Sequence, residues 1–320
     1  IRKDAKTTNS REDGDEAVLI LDVTPFYAEG GGQEGDIGSL KTDMGNAQVI
    51  DTKKLPDGSV YNIVHVTEGS LHVGDTVEIT VDMENKLASA RNHTATHLLQ
   101  AALKRVVGDH INQAGSAVNA HHLRFDFSSF EPISAEQLQQ VEEMVNAEIL
   151  TGKDVEISHM NQEDAKKAGA MALFGEKYED VVRVVSIGGK AKCNCGSDCS
   201  CDHESGEEKE VISKEFCAGT HARNTRDLRL IKIVSEGAIA AGTRRIEVVV
   251  SKAAFEFMNA KVREMDKLSL MFKTHYNEIV ERVEKLQEEN KELQKELASA
   301  KEENARAKFA TFLSKAEDIA

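Results

Sequence analysis

From Ser251 to Ala320 the chain contains neither glycine nor proline. Seventy residues without a helix breaker leave room for one long helix or a helix pair and little else. Heptad spacing holds over part of the stretch: Ile279, Leu286, Leu293, Ala300 and Ala307 fall at d, and Val283, Asn290, Leu297 and Asn304 at a. Two asparagines at a and two alanines at d make a register-selecting seam rather than a strong one. Pairs such as Glu281–Lys285 lie outside it. The expectation for 251–320 is a helical hairpin or coiled coil, with a homodimer through these helices as one outcome.

The first 83 residues carry a different period. Ala17–Asp22 is a short apolar run, and 47–50, 60–66 and 76–81 alternate or nearly so, with Gly- and Pro-rich turns between them. Several short strands at regular spacing predict a small barrel or sandwich. At Asp82 the period changes, and from Glu84 to Val107 the pattern is helical, with Gly108 as a stop. Strand-like 123–127 follows, then a helix from the Ser134 cap, with Gln137 completing a capping box, to Leu150. Strands at 155–157, 181–187, 228–234 and 245–250 and a short helix at 162–167 complete an α+β pattern over 84–250. Residues 188–214, rich in Cys, Gly and Glu, read as a surface insertion.

Composition narrows the class. The chain is 40% hydrophobic and 30% charged, as folded domains are. No apolar run approaches the roughly 18–20 residues of a membrane span. The polar opening is no secretory leader, and Ile1 in place of Met predicts a start inside a longer polypeptide or after a cleavage. The net charge of −15 sits almost wholly in residues 1–250 and argues against gripping nucleic acid by bulk electrostatics. Five cysteines, four of them between 193 and 201, suit thiols or metal in a reducing compartment better than a disulfide framework.

His93 and His97 stand at i and i+4 on the first long helix, so both imidazoles lie on one face. Taken alone, such a pair is more often a polar helix face than a metal site. Cys217-Ala-Gly-Thr-His221 repeats the spacing with a thiol and an imidazole, 120 residues after His97. Together the four groups supply three nitrogens and one sulfur, a set suited to Zn²⁺, catalytic or merely a staple. Thr94 stands where a zinc protease needs its glutamate, which disfavours that chemistry. Gly30-Gly31-Gly32-Gln33 is a glycine-rich turn without the signature of a P-loop. It is either a simple hairpin or a close-approach loop in which Gln33 reads a polar substrate.

Five ordered motifs, 26–36, 92–99, 123–127, 217–221 and 235–247, resemble the editing region of alanyl-tRNA synthetase. The match covers 16–250, and the helical tail is similar to the segment that follows editing in that family. The resemblance implies a β-rich subdomain at 1–83, a zinc-dependent α+β editing core at 84–250 and a coiled-coil segment at 251–320. It implies a cytoplasmic hydrolase that cleaves serine or glycine from tRNA(Ala), without a membrane partner. The family's zinc ligands map onto His93, His97, Cys217 and His221, and its motif glutamine onto Gln33. Glu29, Gly30, Gly31 and Gly32 would line the amino-acid pocket, and Gln33, Glu29 and Thr220 are the candidate catalytic residues. Thr220 and Arg244 are further candidates for substrate contact, with packing or an ion pair as the competing explanation. The part that activates alanine with ATP lies outside this chain, which is therefore expected not to aminoacylate.

The chain departs from the family at Ala218 and Gly30, both small changes, and in its Cys-rich insertion. There Cys193, Cys195, Cys199, Cys201 and His203 could hold a second zinc or an iron–sulfur centre, or stand idle in a solvent loop. Two other functions fit the same residues: a threonyl-type editing module, and a zinc-stapled scaffold without catalysis.

Overall fold

Alternation of apolar and polar residues organises the N-terminal strands in a computed structural model, which describes residues 10–12, 14–172, 179–189 and 211–317. Strands β1 (Ser10–Glu12), β2 (Glu16–Ile20), β3 (Gly38–Lys41), β4 (Gly45–Lys54), β5 (Val60–His72) and β6 (Glu78–Val81) form one antiparallel sheet. Its order is β1-β5-β4-β3-β6, with β2 also paired to β5. Leu40, Ala47, Val49, Val64 and Val66 share a buried cluster with Ala17, Phe26 and Leu71.

The expected barrel or sandwich does not form. Among the described residues β2 and β6 do not pair with each other, and no second sheet arises from this segment. Period-2 alternation is the same for a barrel strand and for an open sheet with one buried face, so the pattern could not decide closure.

Asp82 ends the β module. Its carboxylate accepts the Asn85 N–H at 2.9 Å and caps helix α1 (Met83–Val106). Strands β7 (Gln113–Val118) and β8 (Leu123–Ser128) lead to α2 (Ala135–Thr151), which opens on the Ser134–Gln137 capping box. Replacing Ser134 with alanine is expected to cost about 1 kcal/mol in a urea unfolding curve, because an orphan N–H at the helix start loses its acceptor.

Strand β9 (Val155–Asn161), helix α3 (Gln162–Lys167), and strands β10 (Val181–Gly188) and β11 (Val211–Phe216) follow. Strands β12 (Ile231–Ala240) and β13 (Thr243–Val250) close the mixed part. Two antiparallel sheets result, β11-β10-β9 and β12-β13-β8-β7. Leu98, Leu99 and Leu103 of α1 meet Val141, Val145 and Ile149 of α2 over Phe125, Phe127, Ile246 and Val248.

Four strands escaped the sequence reading: β1, β3, β7 and β11. In β7 the small residues Ala114, Gly115, Ser116 and Ala117 mute the alternation. Strand β11 lies partly within the expected insertion, whose composition masked it. Cys193, Cys195, Cys199, Cys201 and His203 fall outside the described residues.

The chain divides into two compact units, Ile1–Phe255 and Glu256–Ala320. The tail is a helix pair, α4 (Lys252–Phe272) and α5 (Ile279–Glu317). Helix α4 stops without glycine or proline. Lys273 adopts a φ of 52°, and the Thr274 N–H reaches back to the Ser269 carbonyl at 3.1 Å, a C-terminal cap made by a residue that seldom makes one. On α5, Leu293 and Leu297 are exposed. Among the described residues no helix is long and apolar enough to cross a membrane.

Candidate metal centre

Helix α1 is buried along most of its middle, and His93 and His97 lie one turn apart on it, 4% and 3% exposed. The chain leaving β11 brings Cys217 and His221 to the same point. Cys217 is anchored through its N–H to the Arg183 carbonyl at 3.1 Å, and its own carbonyl accepts from the Arg183 guanidinium. One ligand atom from each of His93, His97, Cys217 and His221 then lies within 4.8 Å of the others. Cys217 Sγ is 3.4 Å from His93 Nε2 and 3.2 Å from His221 Nε2.

Two glycines permit this approach. A Cβ on Gly219 would stand 2.0 Å from His93 Cε1 and 2.2 Å from its Nδ1. A Cβ on Gly32 would stand 2.3 Å from Ser116 Oγ, and Gly32 has a φ of 78°, so its place in the turn also requires glycine.

Oxygen atoms face the outward nitrogen of each ring. Gln33 Oε1 is 2.8 Å from His93 Nδ1, and Thr94 Oγ1 is 3.1 Å from His221 Nδ1. Glu215 Oε2 is 3.4 Å from His97 Nδ1, without an aligned hydrogen bond, so that nitrogen is a buried polar atom still lacking a partner. Gln33 is fully buried and spends its amide inside the protein: Oε1 also accepts the Thr220 N–H at 2.9 Å, and Nε2 donates to Thr220 Oγ1 at 2.8 Å.

Burial, with His97 and Arg183 adding, pushes the His93 imidazole down to about 3. Burial and Arg183 push His97 down to about 4. His221 is held well below the ordinary range by burial first, then His93, His97 and Arg183. All three rings are therefore neutral near pH 7, the state in which imidazole offers a lone pair to a metal. Three such nitrogens and a thiol, converging in a buried pocket with acceptors behind the rings, fit a zinc-type ion.

The remaining predicted residues fall in several places. Glu29 is half exposed and 3.1 Å from Lys53. Gly30, Gly31 and Gly32 form the turn before Gln33, where Gly30 and Gln33 exchange backbone hydrogen bonds. Thr220 adjoins Gln33. Arg244 pairs with Glu236 across the β12–β13 hairpin.

Thr94 was read only as standing in place of a protease glutamate, and Arg183 and Glu215 were not singled out from the sequence. Thr94 and Glu215 had a local signal, since one sits between the two histidines and the other two positions before Cys217 on an alternating strand. Arg183 had none, because only the pairing of β10 with β11 brings it to Cys217.

Two stretches of the chain match synthetase family models. Residues 1–85 match the family model described as tRNA synthetases class II (A). Residues 182–247, which include Cys217 and His221, match the threonyl and alanyl tRNA synthetase second additional domain. The alanyl side of that pair is the relevant one: the chain corresponds to the alanyl-tRNA synthetase region that carries this editing-type domain.

It is 42% identical over 303 residues to the alanine–tRNA ligase of Alkaliphilus oremlandii, covering 95% of this chain and 32% of that protein. It is 46% identical over 294 residues to the alanine–tRNA ligase of Bacillus cytotoxicus, covering 92% of this chain and 31% of the relative. With the alanine–tRNA ligase of Clostridioides difficile the identity is 42% over 301 residues, 94% of this chain and 32% of the relative. The chain thus spans about a third of the length of the curated relatives it matches.

Proposed function

We propose that this chain is the part of an alanine–tRNA ligase that hydrolyses the ester of seryl- and glycyl-tRNA(Ala). The observation that supports it is the buried His93–His97–Cys217–His221 cluster, half of it inside the second additional domain of a chain related to alanine–tRNA ligases. A pocket selecting alanine cannot strongly reject glycine, which lacks a methyl, or serine, which adds a hydroxyl, so a second hydrolytic site supplies the missing discrimination.

Zinc held by these four residues would supply Lewis-acid polarisation and an anchor for the substrate. The chain's own residues do the positioning. Gln33 holds His93 and Thr220 together. Thr220 accepts from Gln33 and keeps its hydroxyl hydrogen to donate to a substrate oxygen. Arg183 places a positive charge beside the cluster, where it favours a developing oxyanion. The backbone of Gly30, Gly31 and Gly32 lines the amino-acid pocket.

The partners follow from the same reading. The substrate is tRNA(Ala) in the cytoplasm, and the seam of α5, with Leu293 and Leu297 exposed, pairs with a second copy of the chain. The thiols of 193–201 bind a second metal. With a net charge of −15, tRNA binding by this chain alone is weak and falls steeply with salt, which a filter-binding titration at two ionic strengths checks.

The deciding experiment is deacylation of Ser-, Gly- and Ala-tRNA(Ala) and of Ser-tRNA(Thr), with zinc quantified on the same sample. Loss of serine and glycine from tRNA(Ala), with alanine retained and tRNA(Thr) spared, is the expected result. Retention of serine by a zinc-loaded protein, even inside the complete ligase, overturns the proposal.

A further inference from the structure

Glu215 is a buried carboxyl group that no step of the proposed hydrolysis uses. It lies on β11, 6% exposed, two residues before Cys217. Ser213, its neighbour on the same face of the strand, donates to Glu215 Oε1 at 2.7 Å. The second oxygen, Oε2, points at His97 Nδ1 from 3.4 Å. That nitrogen is itself buried and has no aligned partner. A carboxylate removed from water costs free energy unless its lone pairs are met by donors. Here one donor is the Ser213 hydroxyl, Lys104 adds a nearby positive charge, and the imidazole Nδ1 is the donor that faces Oε2.

We infer that Glu215 is a positioning residue: its carboxylate accepts a hydrogen bond from the Nδ1–H of His97, fixes that ring's tautomer, and holds the opposite nitrogen toward the metal cluster. The inference rests on the zinc reading above. Its physical content is that of a carboxylate–histidine–metal relay, in which the outer carboxylate orients the ring and raises its basicity. The three histidines are then served by different oxygens, an amide at His93, a hydroxyl at His221 and a carboxylate at His97. The negative charge falls to His97 alone, so His97 becomes the ligand whose donor strength depends on the outer shell.

The test uses the full chain with Cys193, Cys195, Cys199 and Cys201 replaced by serine, so that the insertion cannot contribute thiolates. Zinc affinity is measured by chelator competition, and cobalt(II) is substituted to read the ligand field. Glu215→Gln keeps the volume and loses the charge. It is expected to weaken zinc about 10- to 100-fold and to shift the cobalt d–d bands. Ser213→Ala, which leaves the carboxylate in place, is expected to change both readouts in the same direction by less, and it carries the test if the first variant does not fold. A purely structural Glu215 would lower the melting temperature of the metal-free protein and leave affinity and spectrum unmoved. Unchanged affinity and bands in the folded variants overturn the inference alone. A parent that takes up no cobalt overturns the zinc reading and the inference with it.

Discussion

Cys217→Ala is expected to lower hydrolysis of seryl-tRNA(Ala) by about 100-fold or more, a larger loss than outer-shell changes produce at metal sites. Zinc content is expected to fall in the same preparation. The thiol is the one sulfur of the set, it meets His93 and His221 at 3.4 and 3.2 Å, and it accepts the Gly219 N–H at 3.4 Å. Alanine fills less volume and offers no electron pair, so three imidazoles remain around an open corner. Far-UV circular dichroism of the variant is expected to match the parent, because the hydrophobic core of α1, α2 and the β12-β13-β8-β7 sheet lies on other residues. The scaffold reading makes the opposite prediction for the parent, no hydrolysis with metal bound. A variant that loses zinc yet hydrolyses at the parental rate sinks the assignment of the cluster to catalysis.

Gly219→Ala carries the second large effect, through sterics rather than chemistry. The new Cβ would lie 2.0 and 2.2 Å from the His93 ring and 3.1 Å from Gln33 Oε1. That ring cannot swing aside cheaply, since Gln33 holds Nδ1 at 2.8 Å and the thiol meets Nε2. Overpacking of a filled site costs about 1–3 kcal/mol, and the displaced ring also leaves the cluster. The thermal midpoint and the zinc content should therefore drop together. Gly237→Ala is the control: a Cβ there meets nothing within 4 Å, and both readouts should stay within error of the parent. Equal behaviour of the two variants would mean that the His93–Gly219 approach is not what holds the site.

Much of the fold was legible in the chain. The α1 and α2 helices, the α2 cap at Ser134, and the strands around Phe125, Val184 and Val248 follow local rules, since periodicity and capping act over a few residues. The mixed, antiparallel architecture follows from the order in which those periods alternate. Where local signals were weak or ambiguous, the reading went astray: small residues hid β7, the Cys-rich composition hid β11, and alternation suggested closure where the sheet stays open.

The four candidate ligands were visible as two spaced pairs, because each pair is local. By itself the sequence thus determined four candidate donors, the helix that carries two of them, and the kinship with alanyl-tRNA synthetases. Only the tertiary structure decided that the pairs meet and what stands behind them. Gln33 reaches Thr220 across 187 positions, Thr94 reaches His221 across 127, and Arg183 reaches Cys217 across 34. No periodicity spans such distances. The contacts exist because β11 lies against α1 and the glycine-rich turn docks on Val118, placing oxygens of remote segments behind rings whose shared helix face or turn was all that local rules had set.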